Sequence, residues 1–170
     1  MPRTVSRRDL IVNAARERFT TKGYDGTKIG DIAADLGISK AAIAYYFPVK
    51  EAFLDEFVSP FLTSLEEALA EVSTPRETLE VYLDAVIADH DVAVWVDTDT
   101  TIQAHPAHGE RLAAINDVVI QRVTGGAKRK SDRVRALSVL GGIWRPVREL
   151  QPQDLRTHRE AIVNAALAGY

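Results

Sequence analysis

Apolar residues recur at spacings of three and four along most of this 170-residue sequence. That spacing places them on one face of an α-helix, and it constrains the fold more than any other feature. The first predicted helix shows it in Leu10, Ile11, Ala14, Ala15 and Phe19. No segment combines the alternation of a half-buried strand with a hairpin turn. We therefore predict an all-α protein.

One segment is ambiguous. Val92, Val94 and Val96 alternate as they would in a strand. A lone strand would have no partner for its backbone groups, and no second strand is evident. We therefore interpret this segment as helical.

Capping residues and helix breakers divide the first 50 residues into three helices. Ser6 begins the first helix with a capping-box pattern, and Gly23 ends it. Thr27 precedes a second helix, which stops at Gly37. After a turn of three residues, Ser39 caps a short third helix that extends to about residue 47.

The rest of the chain continues the helical pattern. Pro48 ends the third helix and can occupy the first turn of a fourth, which reaches residue 72 with a kink at Pro60. Further helices are predicted over 76–90 and 109–123, and two closing ones over about 133–150 and 154–169.

Composition and charge narrow the function classes. The sequence has no cysteine, which excludes disulfides and thiolate zinc sites and makes a cytoplasmic location the expectation. No apolar run is long enough for a membrane span. Residues 1–50 carry nine Lys or Arg against five Asp or Glu, whereas the remaining 120 carry twelve against nineteen. A basic end on an acidic chain predicts contact with a polyanion at that end.

Two helices joined by a short glycine-containing turn form the helix-turn-helix pattern, in which the second helix enters the DNA major groove. In the short third helix only Ile43, helped by Phe47, is needed as an apolar anchor. Lys40 can reach guanine or phosphate, small alanines let the helix approach bases, and the hydroxyls of Tyr45 and Tyr46 can bind phosphate. At a helix start, Lys50 is poorly placed unless a phosphate lies beside it.

The first sixty residues resemble the DNA-binding domain of the TetR family of bacterial transcriptional repressors. The resemblance is carried by "KGYDGT" at 22–27, "IGDIAADLGISKAA" at 29–42 and "YFPVKEAF" at 46–53. It implies two domains, a DNA-binding domain over 1–50 and a ligand-binding and dimerisation domain over 51–170. It also implies a set of DNA contacts, to which the reasoning above adds Tyr45. The full set of expected DNA contacts is Thr27, Lys28, Ser39, Lys40, Ala42, Tyr45, Tyr46 and Lys50. Ala44 departs from the family pattern, which commonly has a tyrosine there.

The same resemblance implies a homodimer that binds a near-palindromic operator on double-stranded DNA and is released by a small-molecule effector. The residues expected to line the effector pocket are Tyr82, Val86, His90, Trp95, Ile102, Leu112, Ile115, Val119 and Trp144. The residues expected at the dimer interface are Leu137, Gly141, Gly142, Ile162 and Ala166. The consecutive glycines support this interface, since glycine inside a helix needs a packing reason.

Two other function classes compete with this interpretation. One is a helical protein-interaction module with weak or lost DNA binding, to which Ala44 gives slight support, or a regulator not controlled by a small molecule. The other is an enzyme, which is not expected, because no phosphate-binding loop or nucleophile elbow is present. His105 and His108 lack the helical spacing of a metal pair, so neither a metal nor a cofactor is expected.

Overall fold

The computed structural model describes residues 6–126 and 129–168, and every regular element in them is a helix. The helices are α1 Arg7–Gly26, α2 Ile29–Asp35, α3 Lys40–Ala44, α4 Ala52–Ala70, α5 Pro75–Ala88, α6 His90–Thr98, α7 Thr100–Gln103, α8 Pro106–Val123, α9 Lys130–Glu149, α10 Pro152–Thr157 and α11 Arg159–Ala168. The predicted all-α class is confirmed, and the ambiguous valine segment is helical. Val92 and Val96, four residues apart, are its buried pair.

The start of α1 follows the sequence signal. The Ser6 hydroxyl accepts a hydrogen bond from the Asp9 amide, and the Asp9 carboxylate accepts one from the Ser6 amide. Gly23 leaves helical geometry with φ +74°, a left-handed conformation that favours glycine, and one more turn follows it to Gly26. The predicted break is therefore a kink, and the helix ends three residues later.

The junction between α3 and α4 differs from the prediction. α3 ends at Ala44 and α4 begins at Ala52, so Pro48 and Lys50 lie in a turn. Tight hydrogen bonds between residues three apart, such as the Phe53 amide to the Lys50 carbonyl (3.1 Å), form this turn. The turn buries Phe47, whose ring stacks on Phe53 with centroids 4.1 Å apart.

The C-terminal prediction also needs correction. The single helix expected over 154–169 is two helices, α10 and α11, separated by His158 with φ −105° and ψ 14°. Gly169, the predicted end, lies outside the described residues. α11 packs along α9 and α5, and the break lets Leu155 of α10 be buried as well.

One continuous hydrophobic core joins the described helices. It runs from Ile11 and Phe19 of α1 through α4 and on to Ile143 and Val163 in α9 and α11. We call residues 6–50 the head and the remaining described residues the body. The domain division at residue 50 stays a prediction.

Candidate nucleic-acid interface and effector cavity

The short helix α3 separates a buried face from an exposed one. Ser39 caps it, accepting a hydrogen bond from the Ala42 amide at 3.2 Å. Ile43 is fully buried, whereas Lys40 and Ala44 are exposed and Tyr45 is 81 % exposed. A tyrosine so exposed offers both its ring and its hydroxyl to a partner.

The two adjacent tyrosines have different environments. Tyr46 is half-buried against the core, and Tyr45 meets its ring edge-on with centroids 5.0 Å apart. Tyr46 therefore supports Tyr45 from the protein side, and Tyr45 is the more accessible of the two hydroxyl groups.

Gly30 positions Lys40, which the sequence interpretation missed. A Cβ atom added to Gly30 would lie 2.6 Å from the Lys40 Cε and 3.1 Å from its Nζ. The aliphatic part of Lys40 therefore crosses the start of α2, where any larger residue would displace it. The sequence signal was a glycine in the first turn of a helix, where no turn requires one.

The predicted phosphate contact at Thr27 is not available. The Thr27 side chain is 1 % exposed, and its hydroxyl donates to the carbonyls of Gly23 (3.0 Å) and Arg18 (3.2 Å). It holds the kinked end of α1 instead. Its neighbour Lys28 is the N-cap residue of α2 and is exposed, and its amide donates to Asp31 at 3.2 Å.

Lys50 is folded back onto the head. Its ammonium lies over the Tyr24 ring, 4.0 Å from the centroid, which is a cation–π contact. Burial lowers the pKa of Lys50, although the charges of Asp25 and Asp99 act in the opposite direction. It is not in the first turn of α4, so the predicted unfavourable interaction with that helix dipole does not apply.

Ion pairs reduce the positive charge that the head can offer to DNA. Arg18 pairs with Asp35, Arg8 with Glu56, and Arg16 with two body carboxylates. Within residues 6–126 and 129–168, Lys28 and Lys40 form no ion pair. The simple count of basic residues therefore overstates the positive charge of the head, and Lys40, one of these two lysines, lies on α3 itself.

Head and body meet around Trp95 and Asp99. The indole of Trp95 stacks on Phe19 of α1, with centroids 5.4 Å apart and an interplanar angle of 18°. The Asp99 carboxylate accepts hydrogen bonds from the Tyr24 amide (2.6 Å), the Trp95 indole (2.9 Å) and the Thr101 amide (2.9 Å). Burial raises the pKa of Asp99, but such hydrogen bonds outweigh it and hold the pKa below its usual value. Asp99 was not predicted, and its role depends on contacts between distant residues.

A cavity of about 270 Å³ lies in the body. Its apolar walls include Phe61 and Leu65 of α4, Tyr82 of α5, Leu112 of α8 and Trp144 of α9. The Trp144 indole donates a hydrogen bond to the Tyr82 hydroxyl at 3.1 Å. Burial raises the pKa of Tyr82 far above its usual value, so the hydroxyl keeps its proton. Three of the nine predicted pocket residues, Tyr82, Leu112 and Trp144, line this cavity.

The other six predicted pocket residues do not line it, and they are Val86, His90, Trp95, Ile102, Ile115 and Val119. Most of them are core residues buried between helices, and Trp95 packs against the head. The His90 Nε2 atom lies 2.8 Å from the Val147 carbonyl of α9. Spacing along a helix shows that a residue faces inward, but it does not show whether a void lies there.

The polar side chains at the cavity were not predicted, and they are Asp97, Gln103 and Asn116. The side-chain amide of Gln103 donates a hydrogen bond to the backbone carbonyl of Asp97 at 2.5 Å. Asp97 also accepts from Arg148 of α9, with the Nε atom at 2.8 Å from Oδ2. The three side chains come from the consecutive helices α6, α7 and α8, and Arg148 comes from the distant helix α9.

The paired histidines are bound to α4 and the turn before it. Their rings stack with centroids 4.7 Å apart, and the His105 Nε2 is 2.8 Å from Glu51 while the His108 Nε2 is 3.3 Å from Asp55. No group of three or more His, Cys, Asp or Glu side chains in the described part of the chain is arranged to hold a metal ion.

The predicted dimer residues divide into two groups. Ile162 and Ala166 of α11 are buried within the chain, against α9, and are not available to a second subunit. Leu137 is 50 % exposed, and a Cβ added to Gly141 would meet no atom within 4 Å. A Cβ at Gly142 would touch Ala166 at an ordinary 3.6 Å. Nothing within the described chain therefore requires either glycine.

None of the described helices is long and apolar enough to cross a lipid bilayer.

Comparison with known proteins agrees with this geometry. The family described as "Bacterial regulatory proteins, tetR family" matches residues 11–57, which span the helix-turn-helix and the start of α4. The probable HTH-type transcriptional regulator YttP of Bacillus subtilis is 31 % identical over 94 residues, 51 % of this chain and 45 % of YttP. The negative transcriptional regulator IcaR of the Staphylococcus aureus biofilm operon icaADBC is 39 % identical over 51 residues, 30 % of this chain and 27 % of IcaR. The matches span less than half the length of these curated relatives.

A solved structure extends the likeness to the body. The TetR family transcriptional regulator PfmR from Thermus thermophilus superposes with a TM-score of 0.67 at 25 % identity, and the match covers 98 % of each chain. The predicted helical body behind an N-terminal helix-turn-helix is thus confirmed along nearly the whole chain. From its helix-turn-helix, its family match and this whole-chain likeness, we conclude that the chain carries the DNA-binding domain of the TetR family of transcriptional regulators at residues 11–57 and shares the fold of such a regulator along nearly its whole length.

Proposed function

We propose that this protein is a transcriptional repressor that binds double-stranded DNA as a homodimer in the cytoplasm and is released by a small molecule. The observation that carries the proposal is the presentation of α3, with Ile43 buried and Lys40 and Tyr45 exposed. A helix of five residues held by a serine cap fits the major groove end-on, where its first residues reach base edges. The negative regulator among its relatives supports repression.

The DNA contacts of the proposal follow from exposure and charge. Lys40 and Ala42 would meet base edges, with Ser39 beside them, and Lys28, Tyr45 and Tyr46 would bind phosphates. Lys50 joins them if its ammonium leaves the Tyr24 ring for a phosphate. Thr27 is left out, because its hydroxyl is already bonded inside the head.

The dimer of the proposal uses the outer face of α9. Val134 is 62 % exposed, and Leu137 and Gly141 continue its row at the helical spacing of three and four. An apolar row with a glycine that the monomer does not need suits close contact with the same row on a second subunit. Two heads so joined would read half-sites roughly 34–36 Å apart.

Selection from a random duplex library tests the proposal. The wild-type protein should enrich a near-palindrome, and Lys40→Ala should relax the preference within the half-site, whereas the control Lys130→Ala in α9 should not. Sedimentation of the protein on the selected duplex should give two chains per duplex. Enrichment of no sequence, or one chain per duplex, would contradict the proposal.

A further inference from the structure

The polar side of the body cavity offers hydrogen-bond acceptors. Both Arg148 nitrogens that bind Asp97 donate to Oδ2, so Oδ1 receives no hydrogen bond in the described part of the chain. Gln103 uses its amide nitrogen on the Asp97 carbonyl, which leaves its side-chain oxygen available. Asn116, on α8, adds a further amide that forms no hydrogen bond within the described residues. The carboxylate oxygen and the two amide oxygens can therefore accept hydrogen bonds from a ligand that donates.

The charge at the cavity has one sign. Asp97 is the one charged residue among those that line it in residues 6–126 and 129–168. Its partner Arg148 does not line the cavity and is 47 % exposed at its side chain. Burial raises the pKa of the Tyr82 hydroxyl most, and the charge of Asp97 raises it further against the opposing hydrogen bond from Trp144. An anion entering here would face the Asp97 carboxylate, and no cation stands among the described residues that line the cavity.

The aromatic walls favour the same kind of ligand. Tyr82 and Trp144 meet edge-to-face with centroids 6.3 Å apart, and Phe61 completes the apolar side. Aromatic faces attract cations as well as rings. A cavity of about 150 Å³ takes up benzene, so in proportion the 270 Å³ here holds roughly eleven non-hydrogen atoms.

We propose that this cavity binds a small organic cation, with an aromatic ring between Tyr82, Trp144 and Phe61 and an ammonium or amidinium group at Asp97. The inference deepens the proposed function, since it names the class of the effector. Whether such a cation binds can be measured without DNA.

Three indoles of nearly equal size test the charge: tryptamine, its neutral isostere tryptophol, and indole-3-acetate. Titration calorimetry on the full chain should rank them in that order, with at least a tenfold difference between the amine and the acid. Asp97→Asn should reduce tryptamine affinity about tenfold and leave tryptophol within about twofold, as expected for a lost charge-assisted hydrogen bond. Glu149→Gln, a surface acid paired with Arg145, is the matched control and should change neither.

Arg148→Gln provides a second variant, because it removes the competitor for Asp97. It should strengthen tryptamine binding, and circular dichroism confirms that each variant is folded. The proposal would be overturned by any of four results. These are equal affinities for the three indoles, a preference for indole-3-acetate, no binding of any of them at millimolar concentration, or an unchanged preference for tryptamine in Asp97→Asn. If tryptamine binds as expected but does not release the protein from its selected duplex, the cavity binds organic cations but such a cation is not the effector.

Discussion

The ammonium of Lys50 lies 4.0 Å from the centre of the Tyr24 ring, so a residue expected to hold DNA is bound to its own head. A cation–π contact at a partly exposed site contributes about 0.5–1 kcal/mol. A charge-assisted hydrogen bond from the same ammonium to a phosphate is the stronger interaction. The lysine can therefore exchange one partner for the other at small cost.

Lys50→Ala tests this exchange. The variant should weaken binding to all duplexes alike and reduce the slope of log affinity against log salt by about 0.9, the value for one phosphate contact. Fluorescence anisotropy at several salt concentrations measures both, with Lys130→Ala as the control. An unchanged slope would mean that Lys50 stays on Tyr24 in the complex.

Gly30→Ala should alter DNA recognition through Lys40. The new Cβ would lie 2.6 Å from the Lys40 Cε, and the flexible lysine must move, whereas the helix itself gains from alanine. We expect an intact melting temperature and a changed sequence preference in the library selection. Gly26→Ala, whose Cβ would meet Lys22 at an ordinary 3.5 Å, is the matched control.

A double variant checks the mechanism. If Gly30 acts only by placing Lys40, then Gly30→Ala in a Lys40→Ala background should have no further effect on DNA binding. Additive losses would show that Gly30 contacts DNA by itself or shapes the turn.

Gly109→Ala should destabilise the body. A Cβ at this position would lie 2.2 Å from the Gln103 carbonyl oxygen, a backbone atom that cannot rotate away, so α7 and α8 must separate. Overpacking of this kind costs about 1–3 kcal/mol of unfolding free energy. Urea denaturation measures it, and a midpoint equal to the wild-type value would show that the two helices are not held together so closely.

Gly141→Ala distinguishes the stability of the single chain from the stability of the proposed dimer. Alanine in place of glycine inside a helix favours the helix by about 1 kcal/mol, and no atom of the same chain opposes the added methyl group. If a second α9 packs there, the variant should dissociate more readily in sedimentation experiments than the wild type. Gly142→Ala is the control, since its methyl group would contact Ala166 of the same chain; equal dimer stability in the two variants would argue against this face.

Acidification should destabilise the fold through His108. Burial lowers its pKa, and the charges of His105 and Arg111 lower it further, against the opposing effect of Asp55. The unfolded chain therefore binds the proton more readily than the folded one below about pH 6.5. The free energy of unfolding is highest above that pH and falls as the pH drops toward the folded-state pKa.

Denaturation between about pH 7.5 and about pH 5.5 spans this window. His108→Gln should show a smaller loss of unfolding free energy across it than the wild type, and the exposed His158→Gln should behave as the wild type does. A wild-type loss that persists unchanged in His108→Gln would assign the effect to other groups.

The sequence by itself determined the all-α class, the helix-turn-helix and the exposed residues of α3, but not every helix end. These depend on local rules, namely the spacing of apolar residues, the serine caps and the glycine and proline breaks, which act within a few residues. The same locality explains the successful prediction that Ser39 caps α3 and that Ile43 is its buried anchor.

Only the tertiary structure decided which partner each side chain has. Thr27 is bonded to carbonyls four and nine residues away, Lys50 lies on Tyr24, and Arg16 pairs with body carboxylates more than seventy residues distant. The cavity likewise depends on where several packed helices leave a void. Such contacts are set by how faces of the helices meet in space, and periodicity along one helix carries no information about the helix opposite.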